Sequence, residues 1–249
     1  MIASLPMYDW PVLRALNDRF WAELRGQLAA RGVDDAPATL ARADSFRASW
    51  LKPDLLFAQT CGLPFNTELT DKVRYLATPV YATEGCDGAT YRSAMVVRRG
   101  RGVTCWNRRR LVINGPDSWS GWVAITRHCL SRNQAVPQPA MVSGGHLASM
   151  QAVVAGKADV AAIDAVCWGL AGRYMPELTD GLEVVEWTDP APATPFITGL
   201  RTSDRTLAIL QDALTAATAT PAGEALLLAG IDVLADGAYR EMSPPFMPV

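Results

Sequence analysis

The apolar residues of this chain change their spacing from segment to segment, and the changes predict alternating strands and helices. Residues 2–7 form a short apolar run that predicts a strand, with Tyr8 and Asp9 at its end. From Pro11 onward, Val12, Leu13, Leu16, Phe20, Leu24 and Leu28 recur at helical spacing until Gly32. That pattern predicts an amphipathic helix opened by proline and closed by glycine. A loop follows, then a short helical stretch over 43–50 and a second apolar strand over 54–58. Gln59, Thr60, Cys61 and Gly62 make a small polar turn, and 73–79 reads as a third strand. Polar residues thus collect where strands end, the edge at which open α/β sheets bind ligands.

The middle of the chain has its own series. A strand is expected over 91–97, then an Arg-rich segment with a hairpin tip at 99–102, then a strand over 111–113. An apolar-periodic helix follows over 120–130. A very short strand over 140–142 leads to a helix carrying Leu147, Met150, Val153 and Val154 on one face, with Gly156 as its C-terminal stop. Residues 158–163 read as a strand ending in Asp164, 165–174 as a helix and 184–187 as a strand. The Pro/Ala/Thr-rich stretch 189–195 reads as an extended connector. A strand over 196–200, helices over 205–218 and 221–228 and a polar tail complete the chain. The fold class is α/β. Residues 1–84 with 196–249 are expected to form one lobe, 85–187 a second, and 188–195 a connector. Two crossings between lobes imply a cleft at their junction.

Two strand-to-helix turns carry the chemistry. In the first, Asn114, Gly115, Pro116 and Asp117 lead to Ser118, Ser120 and Gly121 at a helix start. In the second, Ser143, Gly144, Gly145 and His146 do the same. A helix start offers unpaired N–H groups and partial positive charge, and hydroxyls on the same turn add donors, so a small oxyanion suits both. An ordinary capped turn explains each equally well. Tyr8, Gln59 and Thr60 fall at strand ends of the other lobe, as further donors or as packed and capping residues. Asp164 is either a helix cap or a buried acceptor, and His146 either a donor to an anion or a flank of its turn. His128, mid-helix beside Arg127, is expected at the surface. Trp119 and Trp122 are read as core rather than cleft wall.

Composition narrows the function classes. The 249 residues allow one large domain or two small ones, and 49% hydrophobic content is that of a globular chain. A net charge of −2 and the absence of a long basic block argue against nucleic acid. Arg98, Arg99, Arg101, Arg108, Arg109 and Arg110 read as a solvated loop. No apolar run is long enough to span a membrane. Cys61, Cys86, Cys105, Cys129 and Cys167 are widely spaced, with no zinc-ligand spacing, and an odd count leans toward a reducing compartment or toward buried inert thiols. Residues 1–8 lack a leader pattern, so the chain as written is expected in the cytoplasm. No nucleophile elbow or Walker loop occurs, and the adjacent carboxylates Asp34 and Asp35 fall in a loop rather than at a useful spacing. No catalytic residue, metal or cofactor is assigned.

The chain resembles the phosphate/phosphite/phosphonate substrate-binding components of ABC transporters, in their phosphonate-type branch. The resemblance rests on residues 2–8, 55–62 and 91–97, Asn114 with 117–121, 143–146, and the Gly-Lys-Ala-Asp segment leading to Asp164. It implies a two-lobed type 2 periplasmic-binding-protein fold that traps a ligand by lobe closure. It further implies that Ser118, Ser120, Gly121, Tyr8, Gln59 and Thr60 hold an oxyanion's oxygens, with His146 and Asp164 as further contacts. A small oxyanion ligand, an ABC-transporter permease as partner, a monomeric state and a periplasmic location follow from the same resemblance. The alternatives are a cytoplasmic enzyme of the same fold, a lyase or cofactor-precursor synthase with His146 or Asp164 as general base, and an oxyanion sensor.

Overall fold

The structure, a computed structural model, describes residues 1–42, 46–102 and 106–244. In chain order its strands are β1 (Ile2–Ser4), β2 (Leu55–Gln59), β3 (Val73–Tyr81), β4 (Cys86–Asp87), β5 (Thr90–Tyr91), β6 (Ser93–Arg98), β7 (Leu111–Ile113), β8 (Pro139–Val142), β9 (Val160–Asp164), β10 (Leu182–Trp187), β11 (Ala191–Pro192), β12 (Phe196–Gly199) and β13 (Leu228–Asp232). The helices are α1 (Arg14–Ala29), α2 (Phe46–Trp50), α3 (Gly62–Thr67), α4 (Ala124–Ser131), α5 (His146–Val154), α6 (Ala165–Tyr174), α7 (Pro176–Thr179), α8 (Asp204–Thr218) and α9 (Pro221–Ala225). They divide into two compact units. The first is Met1–Ala82 with Pro192–Glu241, and the second is built around Thr83–Ala191. None of the described helices is long and apolar enough to cross a membrane.

In the first unit the sheet order is β1-β2-β12-β3-β13. β1 and β2 run parallel, and β12 runs antiparallel to both β2 and β3. The carboxyl ends of β1, β2 and β3 therefore share one edge, and β12 starts at it. Helix α1 explains itself by spacing: Asn17, Phe20, Trp21, Leu24 and Leu28 are its buried positions. Trp21 stacks on Phe57 at 6.0 Å, and Phe57 meets Phe196 at 5.1 Å. A second cluster gathers Trp50, Leu55, Ala58, Leu69, Val73 and Ile197.

In the second unit the order is β10-β6-β9-β7-β8. β7 is parallel to both β8 and β9, so Ile113, Val142 and Asp164 end their strands on one edge. β6 runs antiparallel to β9, with Ser93 opposite Asp164. The core packs Met95, Val97, Leu111, Ile125, Cys129 and Val160, with Trp122 against it. Trp119 is buried as well, so both tryptophans take the core role expected of them.

Several expected elements differ. The first strand stops at Ser4, because Pro6 lacks an N–H for the ladder and opens a 3₁₀ turn over Pro6–Tyr8. The hairpin expected at 99–102 is not one, since β9 lies between β6 and β7. The helix expected over 120–130 begins as a π turn, Trp119–Val123, before α4. The helix expected over 221–228 ends at Ala225; Leu227, at φ +63°, turns the chain into β13, which pairs with β3. His128 is buried rather than exposed, its Nε2 2.9 Å from Glu186 Oε1. Residues 43–45, Cys105 and the last prolines of the tail lie outside the described residues.

Candidate functional site

The carboxyl edge of the second unit brings together residues that the sequence places far apart. Asn114 follows β7, Ser143 follows β8, and Asp164 closes β9. The π turn after β7 sets Ser120 inward, buried, where its hydroxyl lies 2.9 Å from His146 Nε2 at the start of α5. Asn114 Nδ2 lies 3.3 Å from the same nitrogen. Asn114 Nδ2 has only protons to offer, which makes Nε2 the accepting nitrogen. π turns inside helices recur at functional sites. Here the turn fits because Asn114 lies flat against Gly121. A Cβ on Gly121 would sit 1.7 Å from Asn114 Oδ1, so only glycine permits the contact.

Not every expected donor is free. Ser118 caps the turn, its Oγ accepting from the Gly121 N–H at 3.1 Å. Ser118 thus has the capping role and keeps its own hydroxyl proton to give, while Gly121 gives its N–H to that cap. Ser143 is similarly occupied: its Oγ bonds Ser149 Oγ at 2.7 Å and donates toward the carbonyls of Ile113 and Gly145. Gly144, at φ +87°, lets the chain reverse into α5 with open space around it. Asp164 is both things at once, buried and the cap of α6, accepting from the Cys167 N–H at 2.9 Å.

What remains over is specific. Asn114 Oδ1 and His146 Nδ1 are shielded from solvent and make no well-formed hydrogen bond among the described residues. Burial pushes the His146 pKa down to about 4, an effect the Ala162 backbone only partly offsets. The imidazole is therefore neutral at neutral pH, as an acceptor on Nε2 requires. His146, Asp164 and Cys167 also place a ring nitrogen, a carboxylate oxygen and Sγ within 4.8 Å of one another.

The first unit has a polar cluster at its own carboxyl edge. Gln59 ends β2 and directs its Nε2 at Tyr81 OH (2.9 Å), Thr194 Oγ1 (2.9 Å) and the Thr194 carbonyl (3.2 Å). Tyr8 OH meets Thr194 Oγ1 at 3.2 Å, and its ring stands edge-on to Tyr81 at 5.9 Å. Tyr8, Gln59, Thr60, Tyr81 and Thr194 are all buried. Thr60 spends its backbone N–H on the Pro195 carbonyl. Tyr81 and Thr194 were not among the residues expected here. The clue was the end of an apolar strand for Tyr81; Thr194 sat in a stretch read as a connector, with no signal of its own.

The family model described as the phosphonate ABC transporter, periplasmic substrate-binding protein, matches residues 52–233. Among solved structures, a binding protein component of an ABC phosphonate transporter from Pseudomonas aeruginosa is similar at a TM-score of 0.74. It has 14% identity, over 96% of this chain and 83% of its own. PhnD1 from Prochlorococcus marinus, in complex with methylphosphonate, gives 0.73 at 15% identity, over 97% and 94%. A Xanthomonas citri protein bound to ATP gives 0.66 at 16% identity, with the same coverage. The comparison with curated proteins gives no match. At these identities the likenesses establish the fold, the α/β fold of periplasmic binding proteins with a mixed five-stranded sheet in each unit. With nearly three quarters of its length matched by the family model, this chain belongs to the periplasmic substrate-binding protein family of phosphonate ABC transporters.

Proposed function

We propose that this protein is the binding component of an ABC-type uptake system and holds a small phosphorus oxyanion, a phosphonate, phosphite or phosphate, in the periplasm. The observation that carries the reading is the contact of the Ser120 hydroxyl with a neutral His146 at 2.9 Å, beside Asn114, where three parallel strands end. A hydroxyl is the one partner in that group able to rotate. Ser120 gives its proton to Nε2 when the site is empty and to an anion when one arrives, and Asn114 Nδ2 keeps Nε2 partnered in the second state. The exchange unpairs no further buried acceptor, so the charge-assisted bond to the anion is a net gain. The solved relatives in complex with methylphosphonate and with ATP support the same ligand chemistry, since both ligands carry tetrahedral phosphorus oxyanions. The membrane permease is the partner that the family's role supplies.

An enzymatic role on this fold is not favoured. A histidine whose pKa is pushed down to about 4 is a weak general base at neutral pH, and Asp164 is engaged as a helix cap. A thermal-shift panel with methylphosphonate, phosphite, phosphate, sulfate and an organic acid, run with EDTA present, tests the proposal. A phosphorus oxyanion is expected to raise the midpoint in a concentration-dependent way. Stabilisation by the organic acid alone would overturn it.

A further inference from the structure

The thiol of Cys167 has no part in holding an oxyanion; Cys86 also lies near the Asp164 carboxylate, and what sets Cys167 apart is that a histidine stands with it as well. It is buried on the first turn of α6, 1% exposed, three residues after Asp164. The carboxylate of Asp164 uses Oδ1 to cap the Cys167 N–H, so the carboxylate and the thiol lie on the same helix turn. Across from them stands the His146 ring, brought from another helix. One nitrogen, one oxygen and one sulfur donor lie within 4.8 Å of one another. In a tetrahedral zinc site, donors about 2.0–2.3 Å from the metal are about 3.3–3.8 Å apart. The cluster thus needs a contraction of an ångström or so, within reach of rotamer adjustment. His146 Nε2 faces Ser120 and Asn114, so coordination falls to Nδ1, whose proton moves to Nε2, where Ser120 Oγ accepts it and the Asn114 carboxamide turns over to present Oδ1.

We propose that His146, Asp164 and Cys167 form a three-ligand site for a soft or borderline divalent cation of the zinc type, with its fourth position open. The donor set favours such an ion: thiolate and imidazole together select against magnesium and calcium, which take oxygen ligands. Three protein ligands and one open position are the arrangement of zinc sites that accept an exchangeable group. Binding displaces the Cys167 thiol proton to solvent and shifts the imidazole proton from Nδ1 to Nε2, so the ring stays neutral, the carboxylate stays charged, and the ligands contribute two negative charges against the cation's two positive ones. The sequence hid the set, since His146 is separated from Cys167 by most of α5, β9 and the intervening loop. The site goes beyond the oxyanion reading and does not rest on it, although His146 serves both.

The test is a titration of the reduced, chelator-stripped full chain with cobalt(II) alone, followed by absorption, with no phosphorus oxyanion present. One equivalent is expected to produce a sulfur-to-cobalt charge-transfer band that zinc(II) then abolishes. Cys167→Ser is expected to lose the band and His146→Asn to weaken cobalt binding at least tenfold, while Cys61→Ala keeps both. Circular dichroism and thermal midpoints of the variants show that each is folded. No band in the wild-type protein, or a band that survives Cys167→Ser, would overturn the proposal. Loss of oxyanion stabilisation with the cobalt band intact would count against the oxyanion reading only.

Discussion

The two units carry polar clusters at matching places, the carboxyl edges of their parallel strands, yet the clusters are in opposite states. In the first unit Gln59 has two N–H protons and three acceptors waiting for them, and Tyr8, Tyr81 and Thr194 close the remaining bonds. In the second unit Ser120 and Asn114 share one acceptor, His146 Nε2, while Asn114 Oδ1 and His146 Nδ1 go without a good bond. A closed network stabilises a fold; an open one has capacity to spare for a ligand. Position in the fold made the two edges look alike, and hydrogen-bond accounting separates them.

Substitutions that strike only one side sharpen the contrast. The largest effect is expected from Gly121→Ala, whose Cβ would displace the Asn114 carboxamide. It should cost about 3 kcal/mol of stability, at the upper end of overpacking penalties, and abolish oxyanion binding; denaturant titration and calorimetry read the two losses. Next comes pH. Burial holds the folded-state pKa of His146 at about 4, below the ordinary histidine value of about 6.5. Above pH 6.5 neither state is protonated and stability is unaffected. As pH falls below 6.5 the unfolded chain takes up a proton that the folded protein refuses, so stability falls until pH 4 and then levels. The total loss from this group is about 3 kcal/mol, and His146→Asn should remove that component of the urea-midpoint profile.

Gln59→Leu should cost about 2 kcal/mol by leaving buried oxygens of Tyr81 and Thr194 short of a donor. Ser120→Ala, by contrast, should hardly move the midpoint. Equal stability losses for the two would erase the distinction between the edges. Tyr8→Phe is the smallest change: it removes one 3.2 Å bond and should cost about 0.5–1 kcal/mol by thermal denaturation.

The residues of both edges are legible in the sequence, the contrast between them is not, and the reasons are physical. Periodicity located β7, β9, α5 and α6, because their buried faces repeat at short range. Turn chemistry located Asn114, Ser120 and His146 for the same reason. Capping is ambiguous in a sequence, and only the structure shows the Ser118 hydroxyl and the Asp164 carboxylate accepting from the N–H groups of Gly121 and Cys167. Strand order was not legible: β12 enters between β2 and β3, and β9 between β6 and β7, through pairings distant in sequence. Thr194 was hidden for that reason, since its partner Gln59 is 135 residues away. His128 was misjudged because an ionisable residue beside Arg127 looks exposed until Glu186 of β10 is placed against it.

Titration calorimetry of methylphosphonate into the wild-type protein and Ser120→Ala, with EDTA in both cells, tests the central claim most directly. Loss of one charge-assisted bond is worth about 1–3 kcal/mol, so the variant is expected to bind roughly 5- to 150-fold more weakly with its folding midpoint unchanged. Equal affinity in the two proteins would contradict the assignment of the ligand to the Asn114, Ser120 and His146 edge.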